Sequence, residues 1–449
     1  MTPSEVLHET PCVAAGRAPG RSQAGPHPLG GSADVPVGRG ADVRTLRPNH
    51  ELRLLKGSEQ LFPALIEAVD AARAEVRLET YIFEFARSVL PVAEALERAA
   101  LRGVVVQVVV DGVGTGDIPP EWQQRWQAAG VEWRVFNPAR GWRLLLPKRW
   151  RRMHRKLCVV DSEVGFCGGI NLLDDYYDPN YGELDRPRFD FAVRVRGALV
   201  ADMRDTMARL WARLQVAREA QQHDVKGTWR AMRAATRAGA ERDADSSTAP
   251  EGLQGGATAA LVLRDNVRFR RSIEGTYRLA IAQAKSEILI ANAYFIPGVQ
   301  LQRALMRAAQ RGVRITLLLQ AKYEYFMQYH ASRAVYSVLL NAGIEIIEYE
   351  PSFLHAKVAV VDAEGGALAT VGSSNLDPLS LLLAREANVF VRDDAFGAEL
   401  RAHLVDAMQN AGRRVDVAEH LRRPFVTRSL TWMAYALMRA MIFITGKRY

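Results

Sequence analysis

The chain is poor in cysteine: three in 449 residues, at Cys12, Cys158 and Cys167. Three thiols without a C-x-x-C pair exclude a disulfide framework and a zinc module of the usual spacing, and they read as buried free thiols. Cys158 and Cys167 flank a short hairpin-like stretch and are expected to lie near one another. No apolar run reaches the ~18 residues that a spanning helix needs. The N-terminal stretch lacks the apolar h-region of a secretory signal. No carboxylate or His/Cys cluster has metal-ligand spacing, so no metal and no other cofactor is expected.

What is present is mostly foldable sequence: 48% apolar and 24% charged residues. The exception is residues 1–43, rich in Gly, Pro, Ala and Ser, which cannot bury enough surface to offset chain entropy and read as a disordered tail. The net charge of +9 favours an anionic polymer or an anionic membrane surface without choosing between them.

The most informative feature is an internal repeat. Residues 55–200 and 262–395 pass through the same series of elements. Each opens with an amphipathic helix, carrying Phe62, Leu65, Ile66 and Val69 in one half and Ile273, Tyr277, Ala280 and Ile281 in the other. A strand follows, then a helix ending at Arg-Gly, "ALERAALRG" against "ALMRAAQRG". An apolar strand and a further helix lead to "MHRKLCVVD" and "LHAKVAVVD". His154, Lys156 and Asp161 thus correspond to His355, Lys357 and Asp362. Beyond them lie "GGIN", Gly168 to Asn171, and "GSSN", Gly372 to Asn375. Helices alternating with strands indicate an α/β fold of two lobes, each a mixed sheet flanked by helices. The expected boundaries are a first lobe at 44–217, a linker at 218–258, a second lobe at 259–412 and a membrane-associating segment at 413–449.

The two-residue period of a strand puts each histidine and its lysine on one face. Small residues at Gly169 and Ser373 let backbone approach a ligand, and Asn171 and Asn375 add amide donors. Lysine, asparagine and histidine from both halves would suit a phosphate diester, whose charge spreads over the equatorial oxygens in the transition state. Two histidines permit a two-step displacement, one attacking phosphorus and the other moving the proton. Asp190 and Glu386 are the candidate orienting carboxylates, each following the histidine of its own half.

With these residues the chain resembles the phospholipase D superfamily, whose signature is H-x-K-x4-D-x6-G-[GS]-x-N. The first motif fits throughout; in the second, nine residues rather than six separate Asp362 from Gly372, an insertion expected to lengthen a hairpin turn. Within the superfamily it is similar to the short bacterial cardiolipin synthases that lack N-terminal membrane spans, through "LLDDYYDPNYGE", "FDFAVRVRG", "AYFIPG" and "SSNLDPLSLLLAREANVFV". The resemblance implies two lobes about a pseudo-twofold axis and one active site between them. It also implies a phosphatidyl-histidine intermediate and transfer of a phosphatidyl group to phosphatidylglycerol. His154 as nucleophile and His355 as acid/base follow from that resemblance alone, because the two motifs are nearly symmetric. Lys156, Lys357, Asn171 and Asn375 would hold the phosphate, while Asp161 and Asp362, part of the catalytic motif, would brace the hairpin.

Two segments are expected to meet the bilayer at the cytoplasmic face of a bacterial inner membrane. Arg140 to Lys156 carries eight Lys or Arg among tryptophans and leucines. The final stretch, "RSLTWMAYALMRAMIFITGKRY", is apolar and aromatic with basic ends, suiting an interfacial helix. The alternative is a phosphodiesterase hydrolysing phospholipid or nucleic acid on the same scaffold. Nucleic acid is disfavoured because it leaves the apolar final helix without a role.

Overall fold

The computed structural model describes residues 45–138, 150–221, 256–265, 269, 271–323, 326–363, 365–377, 384–418, 422 and 425–444. The expected tail at 1–43 and nearly all of the expected linker lie outside these residues, as does Cys12. In chain order the first lobe comprises β1 (Arg47–Lys56), α1 (Gly57–Asp70), β2 (Glu75–Thr80), α2 (Leu90–Leu101), β3 (Val105–Asp111), α3 (Pro120–Ala129) and β4 (Glu132–Phe136). It continues through β5 (Arg152–Met153), β6 (Lys156–Val160), β7 (Val164–Gly168), β8 (Tyr177–Asp178), β9 (Gly182–Glu183), β10 (Phe191–Arg196) and α4 (Leu199–Gln221). The second lobe comprises β11 (Ala257–Arg264), α5 (Ser272–Gln283), β12 (Ala284–Asn292), α6 (Val299–Gln310), β13 (Arg314–Gln320), α7 (Phe326–Arg333), α8 (Tyr336–Asn341) and β14 (Glu345–Tyr349). Then come β15 (Lys357–Ala363), β16 (Gly366–Gly372), β17 (Ala384–Arg392), α9 (Asp394–Asn410), β18 (Gly412–Arg414) and α10 (Phe425–Ile444).

The fold is mixed α/β with one large sheet. Outward from the centre the strand order is β1-β10-β7-β6-β2-β3-β4 in one lobe and β11-β17-β16-β15-β12-β13-β14 in the other. The two orders correspond strand for strand, so a pseudo-twofold axis runs through the seam where β1 pairs antiparallel with β11. In each lobe the outer three strands are parallel and the HxK strand joins them antiparallel.

Alternation along the HxK strands decides the layers. Leu157 and Val159, with Val358 and Val360, lie in one core shared by both lobes. Their neighbours Cys158 and Val160 pack in the core under α1 and α2. Ala359 and Val361 do the same beneath α5 and α6. Sheet therefore packs on sheet at the centre, where α4 (Leu199, Met203) and α9 (Leu400, Leu404) also bury side chains, while α1, α2, α5 and α6 cover the outer faces. The cysteines follow the same rule: Cys158 is in the first lobe's core, Cys167 in the shared one, and both are free. Burial pushes each thiol up to about 12.

Helix α4 crosses the expected boundary at 217, β11 begins within the expected linker, and β18 carries the second sheet past 412. The inserted residues after Asp362 lengthen the strands rather than the turn, since Asp362 pairs with Ala367 and Ala363 with Gly366. The first hairpin turns tightly through Asp161 and Ser162, both at positive φ (50° and 58°).

In the basic segment, residues 140–149 lie outside the described residues. Three of the remaining cations are engaged internally, which corrects their assignment to the bilayer. Arg152 pairs with buried Asp111 at 3.1 Å, Arg155 is buried against Glu79, and Lys156 enters the site described below. The Arg155–Glu79 pair is asymmetric, because the second lobe has Ala356 and Ala291 at these positions. Helix α10 rests on α7 and on Ile296: Ala434 and Met438 are buried there with Ala331. Trp432, Met433 and Leu437 are exposed. Among the described residues no helix is long and apolar enough to cross a membrane.

Asp161 and Asp362 each fasten the start of the neighbouring strand. Asp161 accepts from the backbone N–H of Arg73 (2.8 Å), Ala74 (2.8 Å) and Glu75 (2.9 Å). Asp362 accepts from Lys285 (3.2 Å), Ser286 (2.8 Å) and Glu287 (2.9 Å). Burial opposes their ionisation, but the converging donors outweigh it and hold both carboxyls below their usual value. Asp161→Ala and Asp362→Ala should each lower the unfolding free energy by about 1–3 kcal/mol in denaturant titrations. The wild-type advantage should be complete above about pH 4 and shrink as the pH falls through the depressed folded-state value. An advantage independent of acid pH would refute the clamp.

Candidate active site

Each HxK motif is fastened first by its own lobe. At the C-terminal end of β3, Asp111 accepts from the Met153 N–H at 2.8 Å. At the matching end of β13, Gln320 accepts from the Leu354 N–H at 2.8 Å. Both hold the residue just before the histidine. The strand proper starts at the lysine, and each lysine turns back: Lys156 Nζ donates to the His154 carbonyl at 2.7 Å, and Lys357 Nζ to that of His355. The Tyr81 ring lies 4.9 Å from the His154 ring and 5.4 Å from Lys156 Nζ.

The histidines are then completed by the opposite lobe. β17 begins by pairing in parallel with β5, Ala384 against Arg152 and Arg385 against Met153. The His154 N–H donates to the Arg385 carbonyl at 3.0 Å. In the mirrored contact Phe189 bridges Leu354, and its carbonyl accepts from the N–H groups of His355 (3.0 Å) and Ala356 (2.9 Å). The next residue in each case is the carboxylate. Glu386 lies 3.1 Å from His154 Nδ1, and Asp190 lies 2.6 Å from His355 Nδ1. The expectation that each carboxylate serves the histidine of its own half is therefore corrected: the pairs are crossed. The physical reason is the parallel pairing of the residues before each histidine with those before the opposite carboxylate.

The small residues also act differently from expectation. A Cβ on Gly169 would stand 2.4 Å from Asp190 Oδ1, so this glycine makes room for the carboxyl rather than for ligand. Ser373, its counterpart, donates its hydroxyl to Glu386 Oε2 at 2.6 Å and accepts from the Ala387 N–H at 3.1 Å. Both belong to the support of the carboxylates. Asp161 and Asp362, at the far ends of their turns, do not join the site. Asn171 and Asn375 are buried; Asn171 Oδ1 accepts from the Ile82 N–H at 3.3 Å, and Asn375 Oδ1 has no hydrogen-bond partner among the described residues.

The stretch from Gly169 to Asp190 reaches across to the second lobe. The Tyr181 hydroxyl donates to the Tyr323 carbonyl, and its ring lies 5.3 Å from Phe353. The Ser352 hydroxyl donates to the Arg186 carbonyl at 2.7 Å. Within the loop, Arg188 pairs with Asp178 at 2.8 Å.

The electrostatics identify one shared, cation-rich site. Burial, and next the charge of Lys357, bring Lys156 down to about 7. Burial and the two lysines hold His355 well below its usual value. Burial also lowers His154, although Glu386 opposes it. Both imidazoles are thus biased toward the neutral form, each with Nδ1 facing a carboxylate and Nε2 left for chemistry. The carboxylates differ. Burial pushes Asp190 up to about 7 against the pull of Lys357. Burial also works to raise Glu386, but His154, Lys156 and the Ser373 hydroxyl outweigh it and keep this carboxyl below its usual range. A phosphate diester anion would relieve the crowding of cations.

Sequence reasoning did not pick out Asp111, Gln320 or Tyr81. The first two were findable: aligning the repeats puts a polar residue at the same C-terminal position of two strands, directly after an apolar triplet in each, "VVVQVVVD" and "VRITLLLQ".

Comparison with known proteins agrees with this architecture. Residues 65–184 and 277–408 match the family model described as "Cardiolipin synthase, PLD-like domain". The chain is 33% identical over 400 residues to cardiolipin synthase B of Escherichia coli (strain K12), covering 89% of this chain and 90% of the relative. It is 27% identical over 373 residues to a probable cardiolipin synthase of Bacillus subtilis (strain 168), covering 83% and 68%. The crystal structure of phosphatidylserine synthase from Haemophilus influenzae shares the fold, with a TM-score of 0.58, 12% identity, and coverage of 88% of this chain and 94% of that one. With both repeats matched to the family model and both HxK motifs meeting at one site, the chain belongs to the cardiolipin synthase family of phospholipase D-like enzymes.

Proposed function

We propose that this phosphatidyltransferase moves a phosphatidyl group from one phospholipid to the glycerol head group of phosphatidylglycerol through a phosphatidyl-histidine. The observation that carries this reading is the pair of crossed imidazole–carboxylate contacts around a single lysine-lined site. His154 Nε2 attacks phosphorus, and the bond to the leaving head-group oxygen breaks. His355, protonated for this step, gives its proton to that oxygen. Neutral His355 then takes the proton from the incoming glycerol hydroxyl, whose oxygen attacks phosphorus as the bond to His154 breaks.

The two carboxylates support this division of labour. Glu386 stays anionic and balances the charge His154 gains when phosphorylated. Asp190, brought to about 7, forms with His355 a pair that exchanges a proton near neutral pH, as an acid that later acts as base requires. Lys156, Lys357, Asn171 and Asn375 hold the non-bridging phosphate oxygens. The enzyme works from the membrane surface at the cytoplasmic face, with the exposed Trp432, Met433 and Leu437 of α10 at the headgroup boundary.

His154→Ala and His355→Ala should each cut transfer between phosphatidylglycerol molecules in vesicles by roughly a thousandfold or more. A donor with a p-nitrophenolate leaving group needs no proton from the enzyme. With it His355→Ala should still accumulate an adduct that mass spectrometry places on residue 154, and His154→Ala should form none. Robust turnover in either variant, or an adduct on His355, would overturn the assignment.

Replacing Trp432, Met433 and Leu437 together by serine should weaken sedimentation with phosphatidylglycerol vesicles by about tenfold or more, since partial burial of three apolar side chains exceeds the ~1.4 kcal/mol this requires. Thermal unfolding should be unchanged, because these residues face away from α7. Unaltered sedimentation would remove α10 from the membrane contact.

A further inference from the structure

The repeat allows each surface of one lobe to be compared with its counterpart on the other, and one pair differs sharply in charge. In the first lobe α1 and α2 pack side by side, and Asp70 at the end of α1 faces Arg98 of α2 and Arg102 just after it. It binds Arg98 at 2.7 Å and lies 3.8 Å from Arg102. Arg102 also donates to the carbonyls of Val69 (2.9 Å) and Ala72 (3.5 Å). The second lobe repeats this between α5 and α6: Arg311 donates to the carbonyls of Ile281 (3.0 Å) and Ala284 (3.4 Å). By that register Arg307 stands for Arg98, Arg311 for Arg102 and Ala282 for Asp70. The neutralising carboxylate is gone while both arginines remain.

Two more arginines join them. Arg271 and Arg278, on α5 or just before it, line the same groove, at positions where the first lobe has Glu59 and Ile66. The groove encloses about 540 Å³, and a Cβ on Gly275 in its wall would meet nothing within 4 Å. Arg278 donates to the Gln300 amide oxygen. Among the described residues no carboxylate forms an ion pair with Arg278, Arg307 or Arg311. The nearest acid on these helices, Glu274, is buried beneath, and burial raises it above its usual value although Arg278 and Arg271 pull the other way. It does not offset the guanidinium groups of Arg278, Arg307 and Arg311.

Like charges gathered in a groove repel, whereas planar guanidinium donors around an open space match the oxygens of a phosphate. We infer that the groove between α5 and α6 is a second anion site, separate from the catalytic one, that takes a phosphate-bearing group. The source is either a phospholipid head group or a soluble phosphate. The groove is close enough to the surface helix for the first: Gln300 lies at the start of α6, and Ile296, four residues earlier, packs on α10.

The test restores what the first lobe has. Ala282→Asp should place a carboxylate against Arg307 and Arg311, at an exposed position that tolerates it. Arg278→Ala/Arg307→Ala removes two donors without touching the carbonyl cap formed by Arg311. Inorganic phosphate is titrated into the full-length protein at constant ionic strength, with thermal unfolding as readout, so that the catalytic site contributes equally in all three proteins. In wild type two phases of stabilisation are expected, and one should weaken at least about tenfold in both variants. Without phosphate, Ala282→Asp should unfold no lower than wild type. A second arm compares sedimentation with phosphatidylcholine vesicles with and without phosphatidic acid. Loss of the phosphatidic acid increment in the variants assigns the site to lipid, and retention of it assigns the site to soluble phosphate. Phosphate titrations of both variants that superpose on wild type overturn the site, whatever the vesicles do.

Discussion

Everything at the centre of this protein depends on a hydrogen bond that crosses between lobes, from the Nδ1 of each histidine to a carboxylate of the opposite repeat. In each lobe the carboxylate that meets the histidine Nδ1 is supplied by the other. The crossing follows from backbone geometry rather than from side-chain reach. Residues 152–153 pair with the start of β17, Leu354 pairs with Phe189, and in each case the carboxylate comes one residue later. The shared apolar core behind the HxK strands keeps these pairings in place, so packing and chemistry are coupled. A core substitution that shifts one sheet on the other moves a carboxylate relative to its imidazole.

The twofold relates the seven main strands of each lobe and is broken in chemistry. Glycine and aspartate stand on one side of the site, serine and glutamate on the other. The longer glutamate needs a hydroxyl to anchor it, and the shorter aspartate needs a missing Cβ to fit. One carboxylate remains below its usual range while the other is pushed to about 7, a difference that suits two histidines with unlike tasks. The break extends outward: Arg155 and Glu79 form a buried pair that two alanines replace in the second lobe, and the acid facing the outer arginines survives only in the first. Duplication supplied the frame, and local substitutions differentiate its halves.

Much of this was legible in the residues. The repeat, the HxK strands, the two-lobe α/β architecture and the identity of both carboxylates follow from matched spacings and alternation. The crossing did not, because in a duplicated chain a carboxylate after each histidine is compatible with pairing inside a lobe or between lobes. Strands β1 and β11, which form the seam, were also missed. "RPNHELRLLK" carries charges at Arg47, Glu51, Arg53 and Lys56, with only His50, Leu54 and Leu55 buried, so its alternation is weak. The roles of Gly169 and Ser373 escaped because a small residue near a site reads equally as room for ligand or for a neighbouring side chain. The basic segment misled because a run of cations looks solvent-facing until its buried acids, Asp111 and Glu79, are seen beside it.

The crossed pairs are most directly tested by NMR of the imidazole ring nitrogens in histidine-labelled full-length protein. Asp190→Asn should shift the Nδ1–H signal of His355 and leave that of His154 in place, and Glu386→Gln should do the reverse. If Asp190→Asn instead perturbs His154 alone, the lobes do not complete one another's histidines and the account of the site is wrong.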